Sequence, residues 1–263
     1  MLKIVVCIKQ VPDTLNAVFD PKTGAIDRSG TENIMNPDDL HAIEMALSIK
    51  DEYGARITAL TMGPLPASDV LAEAYALGVD ECVLVSDRRF AGSDTLVTAR
   101  ILSRVLSIRG GFDIVITGVE AIDGNTSHVG FQLSEFLRIP LVAQIHEFQL
   151  ENGHALIDRQ YGHEYQKIRV PLPLLLAAGK KTNRVRIPRL SDIRCCADKP
   201  IVTVTMEDIG GSPEDYGSAG SPTVVLQTEI FSHKRGREIL EGGLNDTVDT
   251  LIHKLKKHDI LRY

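Results

Sequence analysis

Residues 4–8, Ile-Val-Val-Cys-Ile, are apolar without interruption. Such a run marks a strand buried on both faces rather than one with a wet side. Strand-like runs recur at 56–61, 81–85 and 113–117, and each of the four is followed by residues with helical spacing. Leu40, Ile43, Ala46 and Leu47 carry that period up to Tyr53-Gly54; the later helices are predicted at 68–77, 93–108 and 126–137. Asn36-Pro37-Asp38-Asp39 supplies an N-cap, a first-turn proline and two acids facing the positive helix end. Ser93 is expected to cap the third helix, while Gly78 and Gly110-Gly111 close the second and third. From Leu141 the period shortens to two. Residues 141–150, 154–161, 165–170 and 173–178 predict antiparallel strands with turns at Asn152-Gly153 and Gly162. The fold class is therefore α/β: a doubly wound, mostly parallel sheet with right-handed crossovers and an antiparallel extension. Residues 17–26, around Pro21-Lys-Thr-Gly24, predict a small hairpin or Ω-loop.

Past Gly179 the chain changes character. Residues 180–199 hold seven Lys/Arg and two Asp, and 210–222 is rich in Gly, Ser and Pro. The latter is expected to bury little and to lie as a linker or arm on something else. A last helix is predicted over 236–258, with Ile239, Leu240, Leu244, Val248, Leu251, Ile252 and Leu255 apolar. The expected division is a body over 1–179, a basic segment and linker over 180–222, and an arm plus helix over 223–263.

The 263 residues carry a formal charge of -6, which argues against nucleic acid as a partner. That total is +5 from residues 180–199 set against -11 elsewhere, a basic segment on an acidic body. The longest apolar stretch, 172–178, is interrupted by Pro173, so no membrane span is expected. The N-terminus lacks the features of a secretion signal. Cys7 and Cys82 lie in predicted strands, Cys195 and Cys196 are adjacent, and no CxxC occurs. That usage suits a reducing cytoplasm.

In a doubly wound sheet ligands bind beyond the carboxyl ends of the strands. Those ends are 9–14 (with Lys9 first), 62–64, 86–93 and 118–127. The segment Gly118-Val-Glu-Ala-Ile-Asp-Gly-Asn-Thr-Ser127 leads into a helix N-terminus and offers backbone N–H groups, hydroxyls and the positive dipole end. It reads either as an anion site for a phosphate or as a capped connection without a ligand. Asp94 reads either as a first-turn acid or as a ribose or flavin contact. No Walker or G-x-G-x-x-G motif is present, and eight histidines are scattered without metal-ligand spacing. No hydrolytic or catalytic-cysteine motif occurs, so chemistry at this site would belong to a cofactor.

The segments Val6-Cys-Ile-Lys-Gln-Val-Pro-Asp13, Met35-Asn-Pro-Asp-Asp-Leu-His-Ala-Ile-Glu-Met-Ala-Leu47, Met62-Gly-Pro64, Ala76-Leu-Gly-Val-Asp80 and Thr117-Gly-Val-Glu-Ala-Ile-Asp-Gly-Asn-Thr126 resemble, almost over the full length, the β subunit of an electron-transfer flavoprotein. The resemblance implies a core like that of the adenine-nucleotide hydrolases. It implies an α subunit holding a redox-active FAD, and an adenine nucleotide bound by this chain. By resemblance Cys7, Asn36, Pro37, Asp38, Asp39 and Met62 line that site. So do Gly118, Val119, Glu120, Ala121, Ile122, Asp123, Gly124, Asn125, Thr126, Ser127, His128 and Val129. Gly92-Ser-Asp-Thr-Leu-Val-Thr-Ala99 and Gly124-Asn-Thr126 resemble the group that holds FAD and bifurcates electrons from NADH, with ferredoxin as low-potential acceptor. Ser93, Asp94, Thr95 and Thr98 would then face a ring system; the alternative occupant is a structural AMP. Residues 182–193 resemble the loop that engages a flavin-dependent dehydrogenase, such as an acyl-CoA or 2-hydroxy acid dehydrogenase. Leu190 would be its anchor among Arg184, Arg186, Arg189 and Ile193. This loop is more basic than usual, with Ser191-Asp192 where Pro-Asn is common. The C-terminal arm and helix would embrace the α subunit. A doubly wound, non-redox nucleotide protein of the universal stress type is the remaining alternative.

Overall fold

The first apolar run is strand β1 (Leu2–Ile8), and two short strands follow it, β2 (Gln10–Pro12) and β3 (Asn33–Met35). Asn36 then leads into helix α1 (Pro37–Tyr53). The repeat continues as β4 (Ala55–Met62), α2 (Ser68–Leu77), β5 (Glu81–Val85), α3 (Thr95–Arg109), β6 (Ile114–Gly118) and α4 (Val129–Leu137). Next come β7 (Leu141–Ala143), β8 (Ile145–Glu151), β9 (His154–Tyr161), β10 (Glu164–Pro171) and β11 (Leu174–Ala178). After them lie α5 (Leu190–Cys196), β12 (Ile201–Val204), α6 (Met206–Ile209), α7 (Gly217–Gly220) and α8 (Leu244–Lys257). This computed structural model describes residues 1–13, 32–196, 198–223 and 238–261. The hairpin expected at 17–26 and the start of the last predicted helix lie outside them.

Among the described residues, seven strands form one all-parallel sheet in the order β12-β5-β4-β1-β6-β11-β7. Its strands are apolar on both faces because helices cover both. Ile114, Ile116, Leu174 and Leu176 point into the core under α1 and α2. Their neighbours Val115 and Leu175 point the other way, among Leu102, Val105 and Leu133 of α3 and α4. The doubly wound expectation holds.

Two details of the strands differ from the expectation. Residues 141–150 are two strands, because Gln144 takes a positive φ of 61° and redirects the chain. β8, β9 and β10 do form a three-stranded antiparallel sheet, with Ala155 and Ile157 against the core. β11 does not join it. All five of its residues are buried, and it lies parallel between β6 and β7. Leu-Leu-Leu-Ala-Ala lacks the alternation that an antiparallel strand with one wet face would need.

The Gly- and Ser-rich stretch is also more than a linker. It forms a strap on its own domain, with Tyr216 only 1% exposed. The Tyr216 ring meets Phe90 edge-on at 5.3 Å, and its hydroxyl donates to the Gly210 carbonyl and accepts from Arg104. Gly217 has φ 56° and lies so close to the Arg89 and Ala91 carbonyls that a Cβ would overlap both.

Two units separate in the chain, Met1–Leu226 and Gln227–Tyr263. In the second, the helix begins at Leu244, later than expected, because Gly242 has φ 138° and Gly243 occupies the N-cap. Leu244, Val248, Leu251 and Ile252 form an exposed apolar stripe along it. No helix among the described residues is long and apolar enough to cross a membrane.

Candidate functional site

β1 and β6 are neighbours, yet the chain leaves them for opposite faces of the sheet: α1 packs on one and α4 on the other. Their carboxyl ends therefore diverge and open a crevice, the switch point at which this architecture seats ligands. Most of the residues singled out from the sequence meet there, and hydrogen bonds define how.

Lys9 follows β1 and crosses the crevice: its Nζ is 2.5 Å from Asp123 Oδ2. The Lys9 amide donates to Asp39 Oδ2 at 2.7 Å, and the Gly118 amide donates to Asp39 Oδ1 at 3.1 Å. One buried carboxylate thus joins the ends of both strands. A Cβ on Gly118 would stand 2.2 Å from Asp39 Oδ1, so glycine is required by this approach. Burial pushes the Asp39 carboxyl up to about 7, against the hydrogen bonds it accepts. Burial likewise raises Asp38, half-buried beside it.

Asn36 stands at the N-cap of α1, but its side chain does not cap the helix. Its Nδ2 donates to the Glu120 carbonyl at 2.8 Å, and its Oδ1 accepts from the Ile122 amide at 3.1 Å. The expected cap is not made, because the buried Asn36 amide is spent on the loop's backbone groups instead. Pro37 fills the first helical position.

Beyond Ile122 the loop turns tightly, with the amides of Gly124 and Asn125 donating to the Ala121 carbonyl. Asn125 and Ser127 adopt positive φ values of 47° and 54°. Val119 is held by the Ala178 carbonyl at the end of β11, and Ser127 Oγ reaches Glu120 at 3.3 Å. Gly124, Asn125, Thr126 and His128 are exposed, and no side chain caps the start of α4 at His128 and Val129. Free N–H groups and a positive dipole end therefore face the crevice. Beneath them the buried Thr117 hydroxyl has no hydrogen-bond partner among the described residues, and the same holds for Thr61 at the end of β4. Gly130 lies directly over Thr117, where a Cβ would approach its hydroxyl to 2.9 Å. An orphaned hydroxyl, uncapped amides and a side-chain-free helix turn fit the phosphate and sugar of a nucleotide.

Cys7 sits inside this corner. Burial, reinforced by Asp39, pushes its thiol up to about 12, so it is a neutral packing group and not a nucleophile. Met62 is half-buried at the end of β4.

Ser93, Asp94, Thr95 and Thr98 lie at the start of α3, on the same edge of the sheet. The N-cap is Asp94, not Ser93: Asp94 Oδ1 accepts from the Val97 amide at 3.0 Å, while Ser93 Oγ donates to the Phe90 carbonyl. The other Asp94 oxygen accepts from the amide and hydroxyl of Thr223, and Ser221 Oγ accepts from the Asp94 amide. Asp94 thus pins the strap. The half-buried Thr95 and Thr98 carry no side-chain hydrogen bond among the described residues.

In the basic segment Arg186 is taken internally. Its guanidinium chelates Glu44 of α1 at 2.8 and 2.9 Å and reaches Asp51 at 2.9 Å. Burial alone would raise the Glu44 carboxyl, but the Arg186 hydrogen bonds outweigh it and hold it below the ordinary value. Asn183 and His41 form a second tie between segment and helix. Arg184 and Arg189 are exposed, as are Leu190 at 67% and Ile193 at 46%. Sequence reasoning missed Glu44; an acid at an α1 position four residues from Leu40 and three from Leu47, inside the apolar face, was the available signal. Among the described residues no group of three His, Cys, Asp or Glu could hold a metal.

The fold is that of a doubly wound α/β protein with a topological switch point between β1 and β6. The electron transfer flavoprotein domain profile matches residues 23–208. The chain is 40% identical to the CarD subunit of the caffeyl-CoA reductase–Etf complex of Acetobacterium woodii, covering 99% of this chain and 100% of the relative. It is 37% identical to the electron transfer flavoprotein β subunit of Thermoanaerobacterium thermosaccharolyticum, over 99% and 100% of the two chains. It is 36% identical to the acryloyl-CoA reductase electron transfer subunit γ of Anaerotignum propionicum, again over 99% and 100%. This chain belongs to the electron transfer flavoprotein family, as a β subunit.

Proposed function

We propose that this β subunit holds FAD in the β1–β6 crevice and passes electrons between NADH, a flavin on an α subunit and a partner dehydrogenase, with ferredoxin as the low-potential acceptor. The observation that carries the reading is the uncapped start of α4 above the unpartnered Thr117 hydroxyl. Residues 124–129 would hold the phosphates there, while Thr95 and Thr98 are free to meet a ring system. When bound, the flavin supplies hydride and single-electron chemistry. The chain's own residues bind it, orient it and keep water from one side of it. The resemblance to a subunit of a reductase–Etf complex supports the bifurcating form. Arg184, Arg189, Leu190 and Ile193 form an exposed apolar patch with a basic rim, suited to docking a flavin-dependent dehydrogenase. Arg186 holds that patch to α1 through Glu44.

A second reading, AMP in place of FAD, is favoured by one observation: Ser93 and Asp94 are satisfied within the chain, leaving fewer groups for a ring. The deciding experiment is purification together with the α subunit, followed by extraction and quantification of nucleotides. Two FAD per heterodimer support the first reading, and one FAD with one AMP the second. Absence of both flavin and AMP would refute the nucleotide site.

A further inference from the structure

Asn36 and Asp39 are both engaged within the chain. Both Asp39 oxygens accept strand-end amides, and both ends of the Asn36 amide are engaged by Glu120 and Ile122. Together they fasten the backbone at 118, 120 and 122 to one turn of α1. We propose that Asp39 is a positioning residue for the nucleotide: its carboxylate locks the ends of β1 and β6 together, and its ionisation sets whether the 118–128 loop is held in its binding form. The proposal rests on the reading of that loop as the nucleotide site.

The chemistry of the lock is simple. An ionised carboxylate accepts two N–H groups; a protonated one keeps a single free acceptor and turns an O–H toward the second donor. Gly118 donates across 3.1 Å and Lys9 across 2.7 Å, so Gly118 is the end that lets go. Among the described residues no cation touches the carboxylate. It is faced by the Asn36 side chain, which hydrogen-bonds it, by Asp38 on its own helix and by Cys7 of β1. Nearby, the Lys9 ammonium is paired with Asp123, while Glu120, Lys180 and His41 act on Asp38. Burial with this company places the transition near 7, so the lock opens as pH falls through neutrality.

The test uses the heterodimer and FAD, whose diphosphate does not titrate near neutrality. Affinity is expected to weaken about tenfold from about pH 8 to about pH 6. D39N should bind about tenfold more weakly at the higher pH and show no inflection. A flat profile in the native protein, or the same inflection in D39N, would overturn the proposal. Hydrogen exchange supplies a second measure that needs neither the variant nor the ligand. The protection factor of the Gly118 amide, corrected for intrinsic exchange, should fall with pH over the same range; constant protection refutes the lock. If the native heterodimer takes up no FAD or AMP even at the higher pH, the reading of the site fails, while the amide measurement still judges the lock.

Discussion

Replacing Tyr216 with alanine tests whether the glycine- and serine-rich strap is part of the fold. The ring is 1% exposed and packs edge-on against Phe90 at 5.3 Å, with the Arg104 guanidinium over its face at 5.3 Å. Truncating a buried aromatic ring to alanine costs about 3–5 kcal/mol, the edge-on pair included. Losing the hydroxyl's bonds to Gly210 and Arg104 adds about 1 kcal/mol, softened because Arg104 reaches water. Against a total stability of roughly 5–15 kcal/mol, the strap would detach before the sheet unfolds. The assay is hydrogen exchange of the amides of 206–223, followed through Ser218 and Thr223, with urea unfolding of the full chain alongside. Tyr216→Ala should strip protection from the strap and expose Asp94, whereas Tyr216→Phe should cost about 1 kcal/mol and keep it docked. Unchanged strap protection together with a loss under about 1 kcal/mol in urea would refute the reasoning.

Gly118→Ala drives a Cβ to within 2.2 Å of Asp39 Oδ1 and should cost about 1–3 kcal/mol together with nucleotide retention; full retention would mean the loop tolerates displacement. Glu44→Gln breaks the chelation of Arg186 and should cost about 2 kcal/mol after discounting for the exposed guanidinium. Because the Glu44 carboxyl sits below its ordinary value of 4.5, that stability is present above 4.5 and is lost as pH falls through the folded value. Thermal melts should therefore show the native and E44Q chains converging in acid; a constant gap would contradict the ion-pair origin. Leu190→Ala, at a position 67% exposed, should change stability by no more than about 0.5 kcal/mol yet slow dehydrogenase-coupled turnover about tenfold. Undiminished coupling would remove Leu190 from the docking surface.

The doubly wound parallel core was legible because its strands are buried on both faces, so runs such as residues 4–8 announce themselves without alternation. The same signal was present in Leu174–Ala178. It was outweighed by the period-two strands before it, and the parallel pairing with β6 was missed. Helix starts were legible as composition but not as bonding: Asn36 occupies the N-cap position and spends its amide elsewhere, and Asp94 caps in place of Ser93. The strap was hidden because glycine and serine usually mean a chain with nothing to bury, and here one tyrosine and close backbone contact replace a run of apolar residues. Of the site, the loop after β6 was visible from its glycine, asparagine and hydroxyl residues. The joining of two strand ends by one carboxylate was not, since it depends on residues 9, 39 and 118 meeting in space.

That carboxylate sets stability and site geometry against each other. Asp39 is raised from 3.8 to about 7 in the folded chain, so folding favours its protonated form. Its contribution to stability is complete below 3.8 and is lost as pH rises toward about 7. The span corresponds to about 4 kcal/mol. The lock needs the opposite state, the carboxylate that accepts both Lys9 and Gly118. On that proposal the chain at neutral pH holds its loop at the expense of part of its folding free energy, in the corner where the Thr117 hydroxyl also has no partner among the described residues. Local rules that fail together at one end of one sheet mark a place shaped for binding.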